Sequence, residues 1–258
     1  PVNWGDALEE FMRSHNIAFF ENYSHHDFYM WLAEAPRMEY YSGAGVPFNT
    51  PVLTLMYPND DEEFPFAWGY MKAFGHNTWI SQPYKREQTW GKVLTFERDH
   101  EAIYSRGRSI ADTAVLFSRP TRDLYYPTQR DRFLTEWRGW CQVMTAANRP
   151  YDVILQDDLT GERLGEYSLL ILPTAICMST EHASAVAEFV RDGGNLIVSG
   201  EVATWDETGN PQPEPLLSDI CGAKLEKADR ADYTISSING GLTRTLEGHK
   251  VEDGLITA

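Results

Sequence analysis

The chain has 258 residues, 42% of them hydrophobic and 13% aromatic. That is enough for one large or two ordinary domains with a substantial core, and too apolar for a disordered chain. Its 38 acidic against 22 basic residues give a net charge of −16, with no Lys/Arg cluster to meet a phosphate backbone, so nucleic acid is excluded as a partner. No apolar run reaches the length of a membrane span, and no signal peptide is visible. Cys141, Cys177 and Cys221 are scattered, without C-x-x-C spacing. They fit a reducing, cytoplasmic setting rather than a disulfide framework or a zinc site.

In chain order, Trp4 to His15 reads as a helix with Leu8, Phe11 and Met12 on one face, and Ile17 to Phe20 as a strand running into Glu21-Asn22-Tyr23. Asp27 to Tyr41 has a helical pattern that Pro36 is expected to break or bend. Val52 to Met56 is a strand closed by Pro58 and the acidic run Asp60 to Glu63. Phe66 to Phe74 is helical, Thr78 to Ser81 a third strand, and Thr89 to Tyr104 a helix ahead of the basic linker Arg106-Gly107-Arg108. Three β/α units within residues 1–108 fit the closing part of a (β/α)8 barrel. A complete barrel needs roughly 250 residues. The chain opens at Pro1 on a helical pattern, so the expectation is a piece of a longer protein with its early strands upstream.

Residues 109–258 form the second expected domain. Thr113 to Phe117 is a short apolar run of the kind a buried parallel strand requires. Asp131 to Ala147 carries Phe133, Leu134, Trp137, Trp140, Cys141 and Met144 at helical spacing, and Asn148-Arg149-Pro150 ends it. Asp152 to Leu155 and Leu169 to Leu172 are strands. A helix starts at Ser179-Thr180-Glu181, with Thr180 as N-cap, and stops at Gly193-Gly194, after which Leu196 to Val198 is the next strand. Alternating helices and apolar strands imply a parallel sheet with right-handed crossovers. From about residue 211 the pattern changes. Pro211 to Pro215 is a loop, and Ile238-Asn239-Gly240-Gly241 a hairpin turn between Tyr233–Ser236 and Leu242–Thr245.

Glu21 is the candidate catalytic residue, because barrel active sites lie at the C-terminal ends of strands. Asn22, Tyr23, His25 and His26 follow in the same loop as candidate substrate contacts. Trp79 offers a stacking surface and Gln82 an amide. Carboxylates in pairs hydrolyse glycosidic bonds, and one member of Asp60 to Glu63 is a candidate partner. The alternatives stay open: Glu21 as a helix cap, the acidic run as a solvated loop, Trp79 as core. Adjacent His25-His26 lack the i, i+4 spacing of helical metal ligands, so no metal and no cofactor is implied. In the second domain, Ser199-Gly200-Glu201 stands where a nucleophile elbow belongs, yet lacks its glycines, and Cys177 lies away from it. An active triad is not expected there.

Three passages together resemble a known group. Ile17 to Tyr23 is similar to a barrel strand, and Phe66–Gly69 through Thr78–Ser81 to the last βα unit, of barrel glycoside hydrolases related to the family 42 β-galactosidases. Tyr167–Pro173 with Phe189–Ser199 looks like their β-galactosidase trimerisation domain, which has the flavodoxin-like fold of class I glutamine amidotransferases without the nucleophile. The resemblance implies a retaining glycosidase acting on a carbohydrate, assembled as a homo-oligomer (trimer or dimer) through the second domain. It also implies departures. With Trp79 on the eighth strand, Glu21 falls on the sixth, and the seventh, Val52 to Met56, ends in Tyr57-Pro58 without the family's Glu. A carbohydrate-binding or assembly module and an amidotransferase-like amidase remain the other readings.

Overall fold

The computed structural model describes residues 12–22, 28–58, 60–80, 87–104, 107–125 and 130–222, with short strands at Tyr233–Thr234, Lys250–Glu252 and Leu255–Thr257. Two units divide the chain, Pro1–Ser109 and Ile110–Ala258.

In the first unit β1 (Ala18–Asn22), β2 (Val52–Met56) and β3 (Asn77–Ile80) form a parallel sheet in that order. The residues of β2 alternate. Val52, Thr54 and Met56 are buried and Leu53 and Leu55 half-buried, so one face of the sheet is covered. The cover comes from α1 (Phe28–Gly45) and α2 (Glu63–Ala73), whose Met38, Ala67 and Met71 close a core with Met56. Pro36 does not end α1. The helix runs through it, because Ala35, Met38, Tyr40 and Ala44 around it are all buried and their packing outweighs a local cost of about 3 kcal/mol. The single helix expected over Thr89 to Tyr104 is divided: α3 (Glu87–Asp99) starts two residues earlier and is followed by the separate turn α4 (Glu101–Tyr104). Glu97 on α3 receives Lys72 Nζ at 2.6 Å and Trp68 Nε1 at 2.8 Å, tying α3 to α2.

The second unit builds a four-stranded parallel sheet in the order β5 (Asp152–Leu155), β4 (Thr113–Phe117), β6 (Leu169–Pro173), β7 (Asn195–Ser199). On one face, Ala114, Leu116, Leu170 and Leu172 pack with Val186 and Phe189 of α7 (Thr180–Arg191). On the other, Phe117 meets Phe133 and Trp137 of α5 (Arg130–Ala146) edge-on at 5.2 and 5.0 Å. Between β5 and β6 lies a single turn, α6 (Gly161–Leu164), and α8 (Ser218–Cys221) follows the sheet. The N-cap of α7 is Ser179, not Thr180: its hydroxyl accepts the His182 N–H at 3.1 Å. Beyond it, β8 (Tyr233–Thr234), β9 (Lys250–Glu252) and β10 (Leu255–Thr257) pair antiparallel. The expected turn Ile238–Gly241 and its second arm lie outside the described residues.

Candidate functional site

Parallel sheets place their strand C-termini at one edge, and each unit gathers chemistry there. In the first, Glu21 pairs with Leu55, and Leu55 with Trp79, so the three occupy one register level near the ends of β1, β2 and β3. Asn22 pairs with Met56 one residue on. The indole of Trp79 is 51% exposed and tilts against Phe19, itself 42% exposed, with ring centroids 5.1 Å apart. These two rings lie on the sheet face that α1 and α2 do not cover, so Trp79 is surface rather than core. Tyr23, His25, His26 and Gln82 lie outside the described residues.

In the acidic run, Asp60 is engaged as a helix cap. Asp60 Oδ1 accepts the backbone N–H groups of Glu62 and Glu63 at 2.9 and 2.8 Å, meeting open donors at the start of α2. Glu63 is buried. Among the described residues no three His, Cys, Asp or Glu are placed to hold a metal ion. No helix among them is long and apolar enough to cross a membrane.

At the elbow position of the second unit, Ser199 is engaged by the wrong partners for a nucleophile. Its hydroxyl accepts the Trp140 indole N–H at 2.7 Å and donates to Glu136 Oε1 at 2.6 Å; no imidazole takes its proton. Glu136 Oε2 accepts the Thr174 hydroxyl as well. Gly200 has φ 69°, and a Cβ there would meet Thr174 Oγ1 at 2.7 Å and both Glu136 oxygens at 3.2 Å. The space for a reactive side chain is already filled. Cys177 is buried, and burial, only partly offset by its hydrogen bond with Thr121, pushes its thiol up to about 11, far from a thiolate at neutral pH.

The strand order reverses between β4 and β6, the point where open α/β sheets hold ligands. Here the chain's own residues close it. Thr121 Oγ1 accepts the Cys177 N–H at 3.0 Å, and Gln156 Nε2 donates to the Cys177 carbonyl at 3.3 Å. Arg122, buried in a turn of π-helix (Thr121–Tyr125), is held by both oxygens of Asp123 at 2.7 Å. The sequence stripe on α5 hid two of these functions. Trp140 is half-buried and hydrogen-bonds Ser199 instead of joining the core, and Glu136 had no local signal at all.

The described residues thus form a three-stranded parallel β/α sheet in the first unit and a four-stranded parallel α/β sheet with a filled elbow in the second. Residues 125–243 match the family model described as "GLMA-like, second domain". An exo-beta-D-glucosaminidase from Thermococcus kodakarensis is 30% identical over 100 residues, which is 39% of this chain and 12% of that protein. A β-galactosidase structure from Bacillus circulans sp. alkalophilus superposes with a TM-score of 0.65 at 14% identity, over 83% of this chain and 37% of that one. A family 42 β-galactosidase from G. stearothermophilus gives 0.61 at 16% identity, over 80% and 36%. The chain thus spans 12% of that curated relative and little more than a third of these two solved chains. At these identities the likeness to them is one of fold.

Proposed function

We propose that this chain is the C-terminal part of a β-galactosidase-like glycoside hydrolase. On this reading residues 1–108 supply the last strands of a (β/α)8 barrel, and residues 109–258 a non-catalytic assembly domain. The observation that carries it is the level shared by Glu21, Leu55 and Trp79: a carboxylate position and an exposed indole at the C-terminal ends of adjacent parallel strands, where barrels hold substrate. Glu21 serves as acid/base or nucleophile, and its partner carboxylate comes from a strand outside this chain. Trp79 stacks on the sugar. Asn22, Tyr23, His25, His26 and Gln82 are its hydrogen-bonding surroundings. The compartment is cytoplasmic, and the assembly a dimer or trimer.

A second reading, a carbohydrate-binding or assembly module, draws on the same sheet. Three strands with one open apolar face, among the described residues, do not close a barrel by themselves. An amidase is disfavoured by the filled elbow and the buried Cys177 thiol. The test is hydrolysis of a panel of nitrophenyl glycosides by the full-length gene product, with light scattering alongside. The expected result is β-galactoside hydrolysis that Glu21→Gln lowers by about 10²–10⁴-fold, from a dimer or trimer. Hydrolysis untouched by that change removes Glu21 from the mechanism. No hydrolysis of any glycoside favours the binding module, and a strictly monomeric protein removes the assembly role.

A further inference from the structure

One side of α3 is built like half of a helix pair. Thr89, Trp90, Val93 and Glu97 are its half-buried side, and Glu97 is joined to Lys72 and Trp68 of α2. The other side is exposed and carries an open groove of about 550 Å³. The groove is lined by two overlapping sets at i, i+3, i+4 and i+7. The first is Gln88, Gly91, Lys92 and Thr95; the second is Lys92, Thr95, Phe96 and Asp99. Four residues so spaced form the hole that takes a side chain from a packed helix. Gly91 adds to this. A Cβ there would meet nothing within 4 Å, so the fold of its own copy does not demand a glycine, and mid-helix only proline is less favourable. What the missing side chain gives is close approach for a second backbone. Phe96, 46% exposed, supplies apolar surface beside it.

We propose that this face is an interface between two copies of the chain, packed antiparallel along α3. Charge complementarity selects the occupant. Lys92 has no ion-pair partner among the described residues. Asp99 gives its Oδ1 to the exposed Arg98 guanidinium at 2.9 and 3.0 Å, and Oδ2 remains as an acceptor. Seven positions set Lys92 and Asp99 about 10.5 Å apart along the helix, too far to pair within one copy. About a two-fold axis at the level of Thr95 and Phe96, the same spacing brings Lys92 of each copy opposite Asp99 of the other. One stripe thus supplies two reciprocal pairs, as an interface between identical surfaces requires. The two charges also balance, so the chain's net −16 is not concentrated where the copies meet. One helix per copy covers less than the roughly 800 Å² per partner of a stable complex, so the contact is weak, with a Kd on the order of 10⁻⁵–10⁻⁴ M. It is separate from assembly through the second unit and does not rest on it.

The test is sedimentation equilibrium of the full-length gene product from about 1 to about 500 μM, a span that brackets that Kd. The expected result is a mean mass that climbs with concentration toward twice its value at the dilute limit. The dilute-limit mass itself reports assembly through the second unit, so the two readings fail separately. Lys92→Glu and Asp99→Lys are each expected to weaken the association about ten-fold or more, since either change turns both pairs into like-charge contacts. Mixing the two variants sets opposite charges against each other at both positions and is expected to restore it. Only contact between copies can do this. Gly91→Leu, whose Cβ has open space in its own copy, is expected to abolish the association with a native circular dichroism spectrum. The charge variants decide alone should that spectrum change. The interface is overturned by a mass that does not rise with concentration, by association that Lys92→Glu, Asp99→Lys or a natively folded Gly91→Leu leaves unchanged, or by losses that mixing does not restore.

Discussion

Gly200 carries two separate constraints, a left-handed φ of 69° and no room for a Cβ. Gly193 carries one: its φ is 102°, but a Cβ there would meet nothing within 4 Å. The pair separates backbone strain from crowding. Gly193→Ala is expected to cost about 1–2 kcal/mol, the penalty for an L-residue in this region. Gly200→Ala adds the collision with Thr174 Oγ1 and is expected to cost roughly 1–3 kcal/mol more. Urea midpoints of the two variants check this, and equal losses would mean that Thr174 and Glu136 move aside freely. At this scale the sequence was half legible. The missing glycines around Ser199 reveal an elbow without its nucleophile. What fills the elbow is hidden, because Glu136 sits 63 positions away on a helix whose polar residues look like any solvated face.

His76 joins two elements, α1 and β2, and its ring explains why they stay in register. Ser42 on α1 gives its hydroxyl proton to the Phe74 carbonyl at 2.7 Å, so its oxygen accepts from His76 Nε2–H at 2.8 Å. Thr54 on β2 then donates to Nδ1, also at 2.8 Å. This arrangement needs the neutral ring. Burial pulls the imidazole down to about 3; the Met38 carbonyl opposes the shift and Lys72 adds to it. The folded pKa lies below the unfolded 6.5, so between them the unfolded state binds the extra proton and stability falls with falling pH. The first unit is expected to lose about 1.4 kcal/mol per pH unit below about 6.5. Unfolding midpoints at pH 7.5, 6.5 and 5.5 check it, and a flat profile would place the ring in solvent. Elements were more legible than such links between them. A short, mostly apolar run closed by Pro58 marks β2, and another apolar run marks β4. The path of α1 through Pro36 was not readable, since it depends on burial of Ala35, Met38 and Ala44 against distant partners.

For the whole molecule the dominant fact is charge. A net −16 on 258 residues makes every acidic side chain feel a surplus of its own kind, and self-repulsion opposes the compact state. The ion pairs among the described residues, such as Lys72–Glu97 and Arg37–Glu34, are local and cannot offset that long-range field. The Debye length shrinks from roughly 10 Å at about 0.1 M salt to about 3 Å at about 1 M. The unfolding temperature is therefore expected to rise as KCl is raised across that range, and a constant or falling value would refute the repulsion argument. Charge and His76 also pull in opposite directions on acidification, because every proton taken up lowers the net negative charge and relieves repulsion, while protonating the unfolded imidazole favours unfolding. At low salt the two effects partly cancel between pH 7.5 and 5.5. In about 1 M KCl the first is screened and the second, acting through a buried ring, is not. The pH slope is thus expected to be steeper at high salt, and a shallower slope there would show that the buried imidazole does not set the acid response.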